Sequence, residues 1–179
     1  MKTSEIVTVL RRGGVVVMRT DTIYGLLARA ADAEAVKRLY QLKGRHAGKP
    51  FIQLITQPDQ AFGDSRKLAR TVQQYTDRPT SVIVDTPDAP AYLVRRGTNL
   101  AYRLIQSGTL YEIIQQTGAL VAPSANPEGM PPARRISEAQ AYFGGAVDLY
   151  VDGGTVPADT LPSRLVTVAA DGTVTVLRD

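Results

Sequence analysis

Between Lys37 and Lys49 the chain carries Lys37, Arg38, Lys43, Arg45 and Lys49 and no carboxylate. Such a run of cations is a place for phosphate groups, or else a helix C-terminus whose dipole the charges compensate, at ~0.3–1 kcal/mol each. Spacing leaves both readings open. A second segment, Val121-Ala122-Pro123-Ser124-Ala125-Asn126-Pro127, sets a hydroxyl and an amide two residues apart between prolines. The prolines restrict the backbone and so present Ser124 and Asn126 in a fixed geometry, although serine and asparagine also favour turns for local reasons alone. A third, Thr20-Asp21-Thr22-Ile23-Tyr24-Gly25-Leu26, is a polar cluster at a strand's end, where α/β proteins build ligand sites. Its plainer reading is a capped turn in which Asp21 bonds nearby backbone N–H groups. Together the three segments describe a cleft with many donors and few carboxylates, suited to several anions at once.

Other chemistries are excluded by what is absent. The chain has no cysteine and a single histidine, His46, which rules out disulfides, thiolate nucleophiles and zinc sites with two or three histidines. A serine–histidine–carboxylate triad would have to run through His46, in a Gly/Lys/Arg-rich loop that offers no orienting carboxylate. Gly44-Arg45-His46-Ala47-Gly48-Lys49-Pro50 superficially resembles a Walker phosphate loop, but Pro50 stands where a hydroxyl would ligate magnesium. A Walker loop also follows a strand and opens a helix, whereas here the order is reversed. Phosphates must therefore be held by side-chain cations and hydroxyls. The formal charge of +4 and pI near 9.5 point to anionic partners such as nucleotides or RNA.

The elements that would position these residues alternate between strand and helix. Val15 to Met18 reads as a buried strand after Gly13-Gly14, ending near Thr20. Asp32 caps a helix through Lys43, with Gly44 as the residue that ends it. Phe51 to Ile55 reads as a strand, Ser65 to Tyr75 as a helix, Ser81 to Val84 as a strand, Thr109 to Thr117 as a helix and Ala119 to Ala122 as a buried strand. Ser137 with Gln140 forms a capping-box pattern for a helix to Phe143. Strands Leu165 to Ala169 and Thr173 to Leu177 flank Asp171-Gly172, a hairpin signal. The segments Pro87 to Gly97 and Glu128 to Arg135 read as mobile loops. The expected class is α/β shading into α+β, a mixed sheet covered by helices.

At 179 residues, 44% apolar and 21% charged, the chain is expected to be one domain, 1–179, burying roughly 70% of its unfolded surface. No apolar run approaches the ~20 residues of a membrane span, and no signal peptide is evident. A cytoplasmic location, with no membrane partner, is expected.

Taken in order, the polar segments resemble the YrdC-type threonylcarbamoyl-AMP synthase family in its short, single-domain form. Lys43-Gly44-Arg45 and Ser124-Ala125-Asn126 match its Lys-x-Arg and Ser-x-Asn signature, beside Thr20 to Leu26 and Lys49-Pro50. Weaker matches are Pro79-Thr80-Ser81, Ala101-Tyr102-Arg103-Leu104, Pro162-Ser163 and Leu177-Arg178. The resemblance implies a twisted mixed sheet around a positively lined cavity. It also implies synthesis of L-threonylcarbamoyladenylate and pyrophosphate from L-threonine, bicarbonate or CO2, and ATP, with Mg2+ accompanying ATP and no protein-built metal site. The product would feed a tRNA modification, so tRNA and downstream threonylcarbamoyl-transferase proteins are possible partners.

By the same resemblance Lys43, Arg45, Ser124 and Asn126 are catalytic, and Lys43, Arg45, Lys49, Asn99, Ser124, Asn126 and Arg178 contact ATP and its phosphates. Thr22, Arg103, Ala122 and Ser163 contact threonine, with the Arg103 guanidinium suited to a carboxylate. Two departures stand out: Arg19 where the family usually has proline, and Arg164 where it usually has threonine. A non-enzymatic RNA-binding module of the same fold is the alternative from another class. Another ATP- or carbamoyl-handling enzyme is the third reading.

Overall fold

The computed structural model describes residues 2–44, 49–95 and 97–179. Nine strands form one mixed sheet: β1 (Val16–Arg19), β2 (Tyr24–Arg29), β3 (Gln53–Ile55), β4 (Thr80–Asp85), β5 (Asn99–Leu104), β6 (Leu120–Val121), β7 (Leu149–Val151), β8 (Arg164–Val168) and β9 (Val174–Arg178). Their spatial order is β7-β1-β2-β6-β3-β5-β4-β8-β9. The α-helices are α1 (Thr3–Arg11), α2 (Ala33–Lys43), α3 (Ser65–Gln74), α4 (Ala91–Val94), α5 (Gly108–Thr117) and α6 (Ile136–Phe143).

The Val15-Val16-Val17-Met18 run is continuous rather than alternating because β1 is buried on both faces. Val15 and Val17 join one core, with Val36 and Leu39 of α2, Leu68 of α3, Leu93 of α4 and Phe143 of α6. Val16 and Met18 join the other, with Ile6 and Leu10 of α1 and Ile113 and Ile114 of α5. Strands covered on both sides are expected to read this way. The second core reaches only as far as Leu27, Leu54 and Leu120. Beyond it, on the same side of the sheet, Arg103, Ala101, Ile83 and Leu165 line a cavity. Incomplete helical cover on one face thus creates the site.

Several expectations hold residue by residue. The Asp32 side chain accepts from Ala35 N at 3.0 Å at the start of α2. Gly44 ends it in the left-handed conformation at φ 61°, which glycine adopts without the Cβ penalty other residues meet. β8 and β9 pair antiparallel across the Asp171-Gly172 turn. Other expectations need correction. Ser137 caps nothing: α6 begins one residue earlier, with Arg135 at its N-cap, and Glu138 Oε2 instead accepts from Arg134 N at 2.7 Å. The Pro87 to Gly97 segment contains α4, whose Leu93 and Val94 are buried. β3 and β6 are shorter than expected, and α1, β2, β5 and β7 were not foreseen.

Tyr102, on β5, is fully buried and its hydroxyl accepts from Phe62 N at 3.1 Å. Burial pushes the phenol up from 10.0 to about 12, against that hydrogen bond. A folded value above the unfolded one favours the fold below pH 10, and that advantage is lost as pH rises towards 12. Tyr102→Phe is expected to flatten the loss of stability over this window, as read from denaturation midpoints at pH 9 and pH 11.

Candidate active site

The cavity has a volume of about 380 Å³. Of the residues singled out in the sequence, Thr22, Asn99, Arg103, Ala122, Ser124, Ser163 and Arg178 line it. Its remaining wall is largely apolar, from Phe51, Ile52, Ile83, Pro123, Pro132 and Pro162. Lys43 and Asn126 stand behind Ser124, and Lys49 is exposed outside the lining. Arg45 and His46, in the loop after α2, lie outside the described residues.

The basic run from Lys37 separates into two roles. Lys37 pairs with Glu34 at 3.3 Å and Arg38 with Asp148 at 2.7 Å, both on the surface. Lys43 instead turns inward and is buried. Its ammonium donates to Ser124 O at 2.8 Å, to Asn126 Oδ1 at 3.0 Å and, more weakly, to Ser124 Oγ at 3.4 Å. The helical geometry of α2 makes this possible, since its last turn presents Lys43 to the Ser124 loop. The loop is itself sewn to β2: Leu26 N donates to Pro123 O and Ala125 N to Tyr24 O, each at 2.9 Å.

Hydrogen-bond counting fixes the orientation of these groups. Ser124 Oγ gives its proton to Asn126 Oδ1 at 2.6 Å, so towards the cavity it offers lone pairs. Asn126 Nδ2 donates to Pro127 O and Met130 O at 2.9 and 2.7 Å. Both ends of the Asn126 amide are therefore engaged, and its flip state is determined by its partners. Asn126 braces Lys43 and Ser124 instead of facing the cavity.

At the β1–β2 turn the capping expectation is corrected. Thr20, not Asp21, closes it: Thr20 Oγ1 donates to Ile23 O at 2.8 Å and accepts from Thr22 N at 3.3 Å. With Thr20's proton used there, Thr22 Oγ1 is the donor in their 3.2 Å contact and presents acceptor lone pairs. Asp21 is left free to reach across the sheet, where its Oδ1 lies 2.9 Å from Arg103 Nη2.

Arg103 sits mid-sheet, opposite Leu54 of β3 and Ser81 of β4. It is 5% exposed, and its Nε has no partner among the described residues. Burial lowers its pKa, Asp21 opposes that shift, and the Arg178 charge lowers it further. A guanidinium stays protonated despite such a shift, so Arg103 is a buried cation whose charge Asp21 partly offsets. Arg178 is also lowered, first by burial and then by Arg78. Its Nε and Nη2 donate to Ser163 O at 3.1 and 2.8 Å, while Ser163 Oγ meets the buried Ser81 Oγ at 2.9 Å. Ser81 and Asp21 are thus part of the site, although sequence reasoning gave neither a ligand role.

The two departures are also placed. The Arg164 guanidinium faces away from the cavity, bridging Asp77 at 2.8 and 2.9 Å and Asp179 at 2.7 Å. The Arg19 stem packs on Gly153, where an added Cβ would meet Arg19 Cβ at 2.8 Å. Glycine there lets the chain after β7 pass close enough for Gly153 N to donate to Tyr24 Oη at 2.8 Å.

Arg103 and Arg178, the hydroxyl residues Thr20, Thr22, Tyr24, Ser124 and Ser163, and the Asn99 amide surround a partly apolar cavity in an α/β fold, an arrangement suited to several anionic groups side by side. The chain belongs to the Sua5/YciO/YrdC family, whose sequence model, described as telomere recombination, matches residues 8–179. It is 33% identical to the threonylcarbamoyl-AMP synthase of Halorhodospira halophila over 80% of this chain and 78% of that protein. With the protein of the same name from Bacillus subtilis it shares 31% identity, over 81% of this chain and 44% of the relative. The structure of Pyrococcus abyssi Sua5 complexed with L-threonine superposes with a TM-score of 0.86 at 24% identity, covering 98% of this chain and 53% of that one. Escherichia coli YciO superposes at 0.83 with 20% identity, covering 99% and 88%. The chain therefore spans about half the length of the archaeal protein, and likeness at these identities concerns the fold. Among the described residues no helix is long and apolar enough to cross a membrane, and no cluster of acidic or histidine side chains could hold a metal ion.

Proposed function

We propose that the chain is a threonylcarbamoyl-AMP synthase. The observation that carries this reading is Arg103: a buried guanidinium whose Nε has no partner among the described residues, lining a cavity whose other polar groups are hydroxyls, the Asn99 amide and a second guanidinium. The α-carboxylate of L-threonine suits the Arg103 fork, since a guanidinium edge can bond both oxygens. Thr22, with its lone pairs turned inward, accepts from the amine or hydroxyl, and Ser163 and the backbone at Ala122 complete the seat.

The threonine nitrogen then bonds to the carbon of CO2 and loses a proton, giving a carbamate. A carbamate oxygen attacks the α-phosphorus of ATP, and the bond to the bridging oxygen breaks as pyrophosphate leaves. Carboxylate, carbamate and triphosphate are all anions, so holding them in line against mutual repulsion is the main catalytic task. Lys43, braced by Asn126, and Ser124 would hold phosphate oxygens beside Arg178 and Asn99, with Arg45 and Lys49 contributing from the loop after α2. Mg2+ would enter on the triphosphate, keeping phosphate oxygens and water as ligands, because the cavity supplies no carboxylate set for it. The adenylate would pass to a threonylcarbamoyl-transferase acting on tRNA in the cytoplasm. The RNA-binding alternative is weakened by the burial of Lys43 and Arg103, which withdraws them from a polynucleotide backbone.

Purified protein incubated with ATP, L-threonine and bicarbonate is expected to release pyrophosphate and to yield the adenylate by mass spectrometry, with each of the three required. Pyrophosphate release indifferent to threonine would defeat the proposal.

A further inference from the structure

The contact between Asp21 and Arg103 is unusual in what it leaves undone. In a guanidinium, Nε–H and one Nη2–H lie along the same edge, the edge on which a carboxylate can seat both oxygens. Asp21 Oδ1 engages Nη2 at 2.9 Å, yet Nε, on that edge, is buried without a partner among the described residues. The Asp21 side chain remains 27% exposed while that of Arg103 is 6% exposed, so the carboxylate covers the guanidinium from the solvent side. The turn beneath it is held by Thr20 through Ile23 O and Thr22 N. Displacing Asp21 therefore requires only its own side chain to rotate.

We infer that Asp21 is a specificity-determining residue: its carboxylate pairs with Arg103, and a ligand's carboxylate must displace it. This rests on the reading that Arg103 receives the carboxylate of the amino acid. Exchanging one carboxylate for another on the same cation gains little Coulomb energy, while an incoming ion loses translational freedom. A small anion with no further contact, such as bicarbonate or acetate, loses that competition. An amino acid wins it because its amine and hydroxyl add contacts with Thr22 and Ser163, which a bare anion on the same guanidinium edge cannot make. A reaction that needs bicarbonate beside the amino acid gains from such a filter, which keeps the smaller anion out of the larger one's seat.

The test is calorimetric titration of L-threonine and of acetate into the wild-type protein, Asp21→Asn and Asp21→Ser, after melting curves establish that each variant folds. Both variants are expected to bind L-threonine about tenfold more tightly, because the partly exposed charged competitor is gone. Acetate, ineffective against threonine in the wild type, should become a competitor in both. Threonine affinity that is unchanged or weaker would overturn the inference and make Asp21 an orienting counter-ion. So would acetate affinity that does not rise. If the wild type binds no threonine, the functional proposal fails, while the acetate comparison still decides the role of Asp21.

Discussion

Arg103→Lys is expected to raise the L-threonine concentration for half-maximal pyrophosphate release by roughly ten- to a hundredfold, the loss of about one charge-assisted hydrogen bond, with little change for ATP. The substitution keeps the charge and alters the geometry. An ammonium cannot offer two parallel donors to a carboxylate, and at a site only 5% exposed burial also disfavours its charged form. It would sit within reach of Asp21, which would compete with the substrate for a single point charge. Separate titrations of threonine and ATP check the split. Equal losses for both ligands would indicate general damage to the cavity and remove Arg103 from the amino-acid seat.

The parts of the fold that were legible in sequence are those whose cause is local. Asp32 and Gly44 bracket α2 because a side-chain acceptor and a left-handed glycine act within one turn of the helix ends. Asp171-Gly172 sets its hairpin in the same way. The strand β5 is legible in principle, since Leu100 and Tyr102 alternate with Ala101 and Arg103, a half-buried pattern. α1 carried a comparable signal, since Ile6, Val7 and Leu10 share one face. Asp21 shows the opposite limit. Its local reading as a turn cap was reasonable, but Thr20 takes that role and Asp21 finds its partner on β5, far along the chain. The positive run from Lys37 was likewise ambiguous until Glu34 and Asp148 were seen to neutralise its first two members. For Asn126 the sequence suggested a ligand contact, whereas the engagement of both ends of its amide depends on the path of the loop through Met130.

That engagement decides which substitution tests the phosphate half of the site. Asn126→Ala would strip acceptors from Lys43 and Ser124 and donors from the Pro127 and Met130 carbonyls, mixing instability with lost function. Lys43→Met retains the aliphatic stem and leaves the Ser124–Asn126 bond at 2.6 Å untouched, removing only the ammonium. The cost in stability is the loss of hydrogen bonds at 2.8 and 3.0 Å to Ser124 O and Asn126 Oδ1, roughly 1–2 kcal/mol. For a chain of this size that lowers Tm by about 2–8 °C. If Lys43 holds phosphate as proposed, ATP use is expected to fall further: a charge-assisted bond from a cation to a phosphate oxygen contributes ~1.5–3 kcal/mol, so kcat/KM for ATP should drop roughly ten- to a hundredfold. The Kd for threonine, measured without nucleotide, should stay near the wild-type value, since Arg103 and Thr22 do not touch this network. Steady-state kinetics at a temperature well below both melting transitions separates the two effects. Wild-type kcat/KM for ATP in a folded Lys43→Met protein would show that the ammonium only secures the Ser124 loop, and phosphate binding would then have to be sought among Arg178, Lys49 and Arg45.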